Sequence, residues 1–244
     1  MLLTLRAKPL TSRLLRILAL APLALTLNLA SAQNYIPRYD AYIGYAYFNS
    51  PATGLPEHGV HFQIGMNMRS WYALGFDYSR ASGDLFITEE VLPTALQDQL
   101  RPVLEAFKAS GTVPASYVPR VPVHSETQTF AAGPQLVFRR WNKFIPFLRP
   151  SIGAIREVAT PLPSDPITEL LTAEVAPVNK PKLDWKAFYG VGFGADYKIG
   201  KHMGLRVQLD IVRNHLFDDI LRNPHTTFRF SVGPSFQFGR DIRK

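Results

Sequence analysis

The chain has 244 residues, of which 46% are hydrophobic, 12% aromatic and 19% charged, and its mean hydropathy is −0.03. A charged share below the ~25% of ordinary globular domains, at near-neutral hydropathy, excludes a long disordered chain. Without cysteine there is no disulfide scaffold, thiolate metal site or cysteine nucleophile, and no run reaches the ~18 uncharged apolar residues of a spanning helix.

The 27 basic and 19 acidic residues give a net charge of +8. Four of the basic residues, Arg6, Lys8, Arg13 and Arg16, open the chain with no acid among them. Ile17 to Ala32 is then uncharged, mostly apolar, and ends Leu29-Ala30-Ser31-Ala32-Gln33. A basic start, a short apolar stretch and an Ala30-x-Ala32 exit are the parts of a secretory signal peptide. A retained anchor is the competing reading, and the shortness of the stretch with its small-residue exit opposes it. Residues 1–32 therefore read as a signal peptide cut after Ala32, and 33–244 as one exported domain. That domain keeps 23 − 19 = +4, with no basic run beyond Arg139-Arg140, so a nucleic-acid partner is not expected.

Beyond the leader the pattern has period two, which places alternate side chains on opposite faces of a strand. In Val60 to Met68 every even position is large and apolar and every odd one is polar or glycine. Leu74 to Ser79, Tyr189 to Tyr197, Leu205 to Ile211 and Phe228 to Phe238 repeat it, and Asp40 to Phe48, Phe130 to Phe138 and Leu148 to Ile155 do so more weakly. Eight strands are predicted, each about the 9–11 residues that cross a bilayer at a tilt. The connections fall near 49–57, 69–71, 82–125, 140–144, 157–184, 198–202 and 214–225, alternately long and short. A secreted β-sandwich has no reason to gather its long loops at one end. An outer-membrane barrel has short turns on one side and long loops on the other. Closure also removes the unpaired backbone that lipid cannot tolerate.

At this point a resemblance emerges. Ala132-Gly133-Pro134-Gln135 through Phe138-Arg139-Arg140, then Ile145-Pro146-Phe147 and Gly153, resembles the central hairpin of the small eight-stranded outer-membrane barrels grouped with the transmembrane domain of outer membrane protein A. Gly190-x-Gly192-x-Gly194-x-Asp196-Tyr197, with Leu205-Arg206 and Asp210, is similar to their sixth and seventh strands. Phe228-Arg229-x-Ser231-x-Gly233, closing in Phe236-x-Phe238-Gly239, is similar to their last. The resemblance spans about residues 38–240. It implies an all-β, eight-stranded antiparallel up-and-down transmembrane barrel in the bacterial outer membrane, folded there by the barrel-assembly machinery. Two departures stand out: the family usually ends on an aromatic residue, whereas Phe238 is followed by six more residues, and no peptidoglycan-binding domain is expected after the barrel.

The outer face is expected to meet outer-membrane lipid, with Tyr35, Tyr39, Trp71, Tyr72, Trp141, Trp185 and Tyr197 near segment ends as an aromatic girdle. The inner face would hold Asp77, Arg139, Arg149, Asp196, Arg206, Asp210 and Arg229. Eight strands enclose only enough room for side chains, so these charges must pair, three acids with three of the four arginines. That predicts a plugged lumen, with a narrow or gated channel as the alternative. Pro134, Pro150 and Pro234 oppose the strand assignment locally and require bulges or unpaired ladder positions. Gly190-x-Gly192-x-Gly194 lacks the spacing and following helix of a nucleotide-binding loop.

In the long loops, Thr88 to Gly111 predicts a helix capped by Thr88, with Leu92, Leu96, Leu100, Val103, Leu104 and Phe107 on one stripe and a kink or break at Pro102. A shorter helix is predicted from Asp165 to Val175. The two either pack together on the rim or expose an apolar surface to a partner. Small barrels also include lipid-modifying enzymes, for which His124-Ser125-Glu126 and His215 with Asp218 and Asp219 are the available groups. Adjacent strand residues face opposite ways, which opposes a direct His124–Ser125 pair, so no catalytic residue, metal site or cofactor is assigned. The expected role is structural or adhesive, with an extracellular ligand or surface partner met through loops 82–125 and 157–184. A narrow channel or small hydrophobic-ligand transport barrel is the alternative, and a lipid-modifying enzyme the third reading.

Overall fold

The alternating segments fold into eight strands: β1 Pro37–Ser50, β2 Leu55–Arg69, β3 Tyr72–Ile87, β4 Val121–Val137, β5 Phe144–Pro161, β6 Lys182–Lys198, β7 Met203–Asn214 and β8 His225–Asp241. This is a computed structural model, and it describes residues 35–88, 92, 94–175, 180–217 and 225–243. The expected signal peptide lies outside the described residues. Each strand pairs antiparallel with the next, and β8 pairs back onto β1, so the sheet is a closed barrel. Two helices, α1 Thr94–Ala109 and α2 Pro166–Val175, lie in the β3–β4 and β5–β6 connections.

The register fixes the barrel's shape. From Tyr39 the pairing runs to Met66, Leu74 and Pro134, across to Pro150, then to Val191, Ile211, Phe228 and finally Asn49. The circuit returns to β1 ten residues higher (49 − 39 = 10), which is the shear. Eight strands with that shear tilt by about 41° and enclose a radius of about 8 Å. Outward positions carry Ile43, Phe62, Ile64, Leu74, Phe76, Ile152, Phe193, Val207 and Phe230, all exposed. Projected on the axis, the apolar band is about 20–25 Å tall, the height expected of an outer-membrane barrel. Tyr39, Trp71, Trp141, Phe144, Tyr197 and Phe238 fringe it at the short-turn end, where β1 begins and β8 ends.

The strands are longer than the hydropathy pattern indicates. β3 continues to Ile87 and β4 begins at Val121, paired residue by residue, and β5 and β6 extend to Pro161 and from Lys182. The two long connections shrink to 88–120 and 162–181, and the first, expected as a long loop, is a turn over 51–54. In these extensions backbone pairing holds the strand although polar residues blur the alternation. Thr88 follows β3 directly instead of capping a helix, so α1 begins six residues later and runs through Pro102 without splitting. Glu89 and Glu90 lie outside the described residues.

The strand prolines occupy unpaired ladder positions, without bulges. Pro134 and Pro150 face each other in the gap between Ala132↔Ile152 and Leu136↔Leu148, where the register is unchanged on both sides. Pro234 sits in the equivalent gap between Tyr42↔Ser235 and Tyr45↔Val232. The glycine before each β4 and β8 proline permits the close approach there: a Cβ on Gly133 would lie 2.1 Å from the Pro150 carbonyl oxygen, and one on Gly233 2.2 Å from that of Ile43.

Spin labels at Phe62, Val207 and Phe230, whose side chains are 43%, 40% and 42% exposed, are expected to contact acyl chains in reconstituted protein. Collision with oxygen exceeding collision with a water-soluble relaxant is the expected result, and the reverse at all three would refute the membrane band.

Candidate functional site

Inward positions meet in a lumen packed with polar side chains. At the lower level Arg206 on β7 donates through Nε and Nη2 to the two oxygens of Asp196 on β6, at 2.8 Å each. It also donates to Gln63 Oε1 at 2.9 Å and reaches Asp40 Oδ1 at 3.4 Å, with the rings of Phe147 and Tyr42 5.0 and 5.5 Å from its guanidinium. One level up, Arg149 on β5 pairs with Asp77 on β3. Arg229 on β8 meets Asp210 at 2.9 Å and Asp77 at 3.3 Å, and donates to Ser79 and Thr129. His61 joins this level, with Nδ1 3.0 Å from Ser231 Oγ and Nε2 3.8 Å from Asp77.

Six of the seven expected lumen charges thus pair inside the barrel, in two sets: Arg206 with Asp196, and Arg149, Asp77, Arg229 and Asp210 together. Arg139 does not, and this corrects its assignment to the inner ladder. β4 ends at Val137, and from the following turn Arg139 donates to the Ser70 carbonyl at 2.8 Å and to Asn67 Oδ1 at 3.0 Å. It braces the short-turn end instead of pairing with an acid. The acid missing from the sequence reading is Asp40, so four carboxylates (Asp40, Asp77, Asp196, Asp210) face three guanidiniums.

Above Arg229 the lumen widens to a small cavity lined by Ser50, Leu55, Glu57, Ile155, Asn214 and Thr227. Thr127 donates to Glu57 and Ser125 to Glu157, both at 2.9 Å. Both glutamates lie on strand extensions where the sequence predicts loops, because polar residues blur the alternation there. Period two continued past Val60 would have found Glu57, because it shares the parity of His61 and Gln63.

Outside the barrel the helices pack on each other. Leu100 and Phe107 of α1 lie against Val113 and against Ile167 of α2, while Leu92 and Leu104 are buried and Val103 is exposed. The Leu96 side chain lies outside the described residues. Asp165 caps α2, accepting the N–H groups of Ile167 and Thr168 at 3.0 and 2.9 Å, and accepts the Tyr117 hydroxyl at 3.1 Å. Burial alone would raise its carboxyl, but the bonds from the Thr168 backbone, Tyr117 and the Thr168 side chain outweigh it and hold it below the usual carboxylate range. His124 points outward to Asp84 at 2.7 Å and Glu126 outward to Arg80 at 2.8 Å, whereas Ser125 points into the lumen. Asp218 and Asp219 lie outside the described residues.

The fold and its faces define a class: a closed eight-stranded β-barrel with an apolar exterior and a charge-filled interior. Neither a protein-family model nor a curated relative matches the chain. Among solved structures it is similar to Neisserial surface protein A (10% identity, TM-score 0.49, covering 82% of this chain and 96% of that one). It is also similar to Ail, the attachment invasion locus protein of Yersinia pestis (10%, 0.47, 83% and 100%), and to the outer membrane protein OprG from Pseudomonas aeruginosa (8%, 0.45, 85% and 99%). The fold itself rests on the strand ladder described above.

Two outcomes are expected. Arg206→Met strands Asp40 and Asp196 in the lumen and should cost about 3–5 kcal/mol, read as a lower urea midpoint in micelles. A midpoint unchanged from the parent would remove Arg206 from the set of stabilising groups. Asp165→Ala should weaken the α2 cap by about 1 kcal/mol and speed proteolysis within 94–109. Because the folded Asp165 carboxyl titrates below its unfolded value, its protection should be complete above the usual carboxylate range and fade only as pH falls through the lower folded value. Protection that instead fades as pH rises through neutrality would contradict that role.

Proposed function

We propose that this protein is an exported bacterial outer-membrane barrel whose lumen passes no solutes and whose role is structural or adhesive, exercised through its external connections. The observation that carries the reading is the bracing of the lumen: Arg206, Arg149 and Arg229 join β1, β2, β3, β4, β5, β6, β7 and β8 across a space only about 8 Å in radius. Opening a path would separate buried charges, a costly step in a low-dielectric site. The long connections 88–120 and 162–181 carry two mutually packed helices at the end away from the short turns, and they supply the surface for an extracellular ligand or partner.

The proposed role is non-enzymatic and needs no cofactor. In support, His124 and Ser125 point to opposite sides of the barrel wall, and Ser125 is committed to Glu157. Delivery would use the leader at 1–32, and assembly would begin at the aromatic-rich β8.

Planar bilayers test the closed lumen. Purified, refolded protein is expected to give no steady conductance, and a sustained ohmic channel would replace this reading with the narrow-channel one. Bacteria displaying the chain, compared with a variant lacking 94–109 and 166–175, test the external role. Loss of cell-surface attachment with unchanged heat-modifiable gel mobility is expected, and equal attachment by both would refute it.

A further inference from the structure

The outward face gains basic residues at the top of the apolar band on one side of the barrel, with Val158 and Leu183 following above them. On β5, β6 and β7 the outward residues of the band are Leu148, Ile152, Tyr189, Phe193, Val207 and Ile211. Immediately above them come Arg156 on β5, Trp185 on β6 and Arg213 on β7. Arg156 is the cross-strand partner of Trp185, with its guanidinium 6.0 Å from the indole centroid, and Arg213 is the partner of Tyr189. Trp185 and Tyr189 are half-exposed, and Arg213 is exposed.

No outward position of β5, β6, β7 or β8 is acidic among the described residues. The outward acids at this height, Asp84 and Glu126, lie on β3 and β4 and are engaged by His124 and Arg80. Arg156 and Arg213 have no carboxylate partner among the described residues. Two uncompensated guanidiniums flanking an indole and a phenol, at the height where acyl chains give way to headgroups, complement an anionic headgroup. The indole and phenol supply the amphipathic surface that favours that boundary. Arg presents a planar fork matched to phosphate oxygens.

We propose that the patch formed by Arg156, Trp185, Tyr189 and Arg213 binds the phosphate-bearing headgroup of a lipid in the leaflet on the long-loop side of the membrane. Two strands and four residues separate the two arginines, about 16 Å along the wall, and the wall's curvature brings their Cα atoms to about 14 Å. That spacing admits two phosphates of one headgroup and fits a diphosphorylated lipid better than a single small anion. The patch gives the barrel a preferred lipid at one sector of its circumference, and fixes the depth at which the external helices stand.

The inference rests on the membrane reading of the barrel, and the two fail separately: spin labels in the band test the first, and headgroup chemistry tests the second. The three tryptophans are Trp71, Trp141 and Trp185, the first two at the short-turn end, so a W71F/W141F background leaves Trp185 as the reporter. Full-length protein of this background in neutral-detergent micelles is titrated with a bisphosphorylated glucosamine-disaccharide lipid, the same lipid without its phosphates, and inorganic phosphate. A saturable shift of Trp185 emission with the phosphorylated lipid alone is expected. R156Q and R213Q should each weaken it by about fivefold, and R69Q, which removes the same charge at the other end, should leave it unchanged. Equal response to both lipids, no effect of R156Q and R213Q, or saturation by inorganic phosphate at the same concentration would each overturn the proposal. Retained heat-modifiable gel mobility of each variant shows that the barrel is intact.

Discussion

The ladder between β1 and β8 is the constraint on which everything else depends. Seven hairpin contacts could form in an open sheet, but the first and last strands would then leave rows of N–H and C=O groups facing hydrocarbon. Pairing of Tyr39 with Phe238 through Asn49 with Phe228 removes that edge. Closure with a ten-residue stagger then sets the tilt and the narrow bore, and the bore dictates what the inner face must contain. Side chains placed there have no bulk water, so each charge must find its partner within the wall.

The interior meets that demand unevenly. Its lower two-thirds holds two meshes, one around Arg206 and one around Arg149 and Arg229, each bridging several strands, and Gln63 ties the Arg206 level to Gln135 on β4 at 3.0 Å. A mesh of this kind is weak evidence of net stability, since an apolar filling of equal volume can be as stable. What it does secure is mutual dependence: removing Arg206 leaves Asp40 and Asp196, and removing Arg229 leaves Asp210, without that ion-pair partner. The upper third is different: Glu57 and Glu157 are held by hydroxyls alone, around a small cavity that faces the external helices' end of the barrel.

Much of this was legible from period two, because a strand with lipid on one side and a crowded lumen on the other has little freedom in residue type. Asp77, Arg149, Asp196, Arg206, Asp210 and Arg229 stand out as charges in otherwise apolar or small-residue strands, and all point inward. The pattern failed where the environment no longer enforces it. Above the band the outer face is wet, so Arg80, Ser82 and Asp84 look like loop although the backbone stays paired to β4 as far as Ile87. Glu57 and Glu157 were hidden for that reason. Arg139 failed in the opposite sense: the parity of β4 extends past its last ladder residue, and only the turn geometry reveals that the side chain bends to Asn67 and Ser70. Asp40 is the first residue of the predicted strand Asp40 to Phe48 and shares the inward parity of Gly44 and Ala46, so the same alternation already places it in the lumen.

The overlong β3–β4 hairpin has a mechanical consequence. From Arg80 to Phe86 the wall climbs about another 15 Å above the apolar band, stiffened by pairing up to Ile87↔Val121. The connection that holds α1 therefore springs from the top of a paired wall, and strand length sets how far that top stands above the bilayer. Shortening both legs of that hairpin in register would lower the platform by a fixed step per residue pair, making reach an adjustable property of the wall itself.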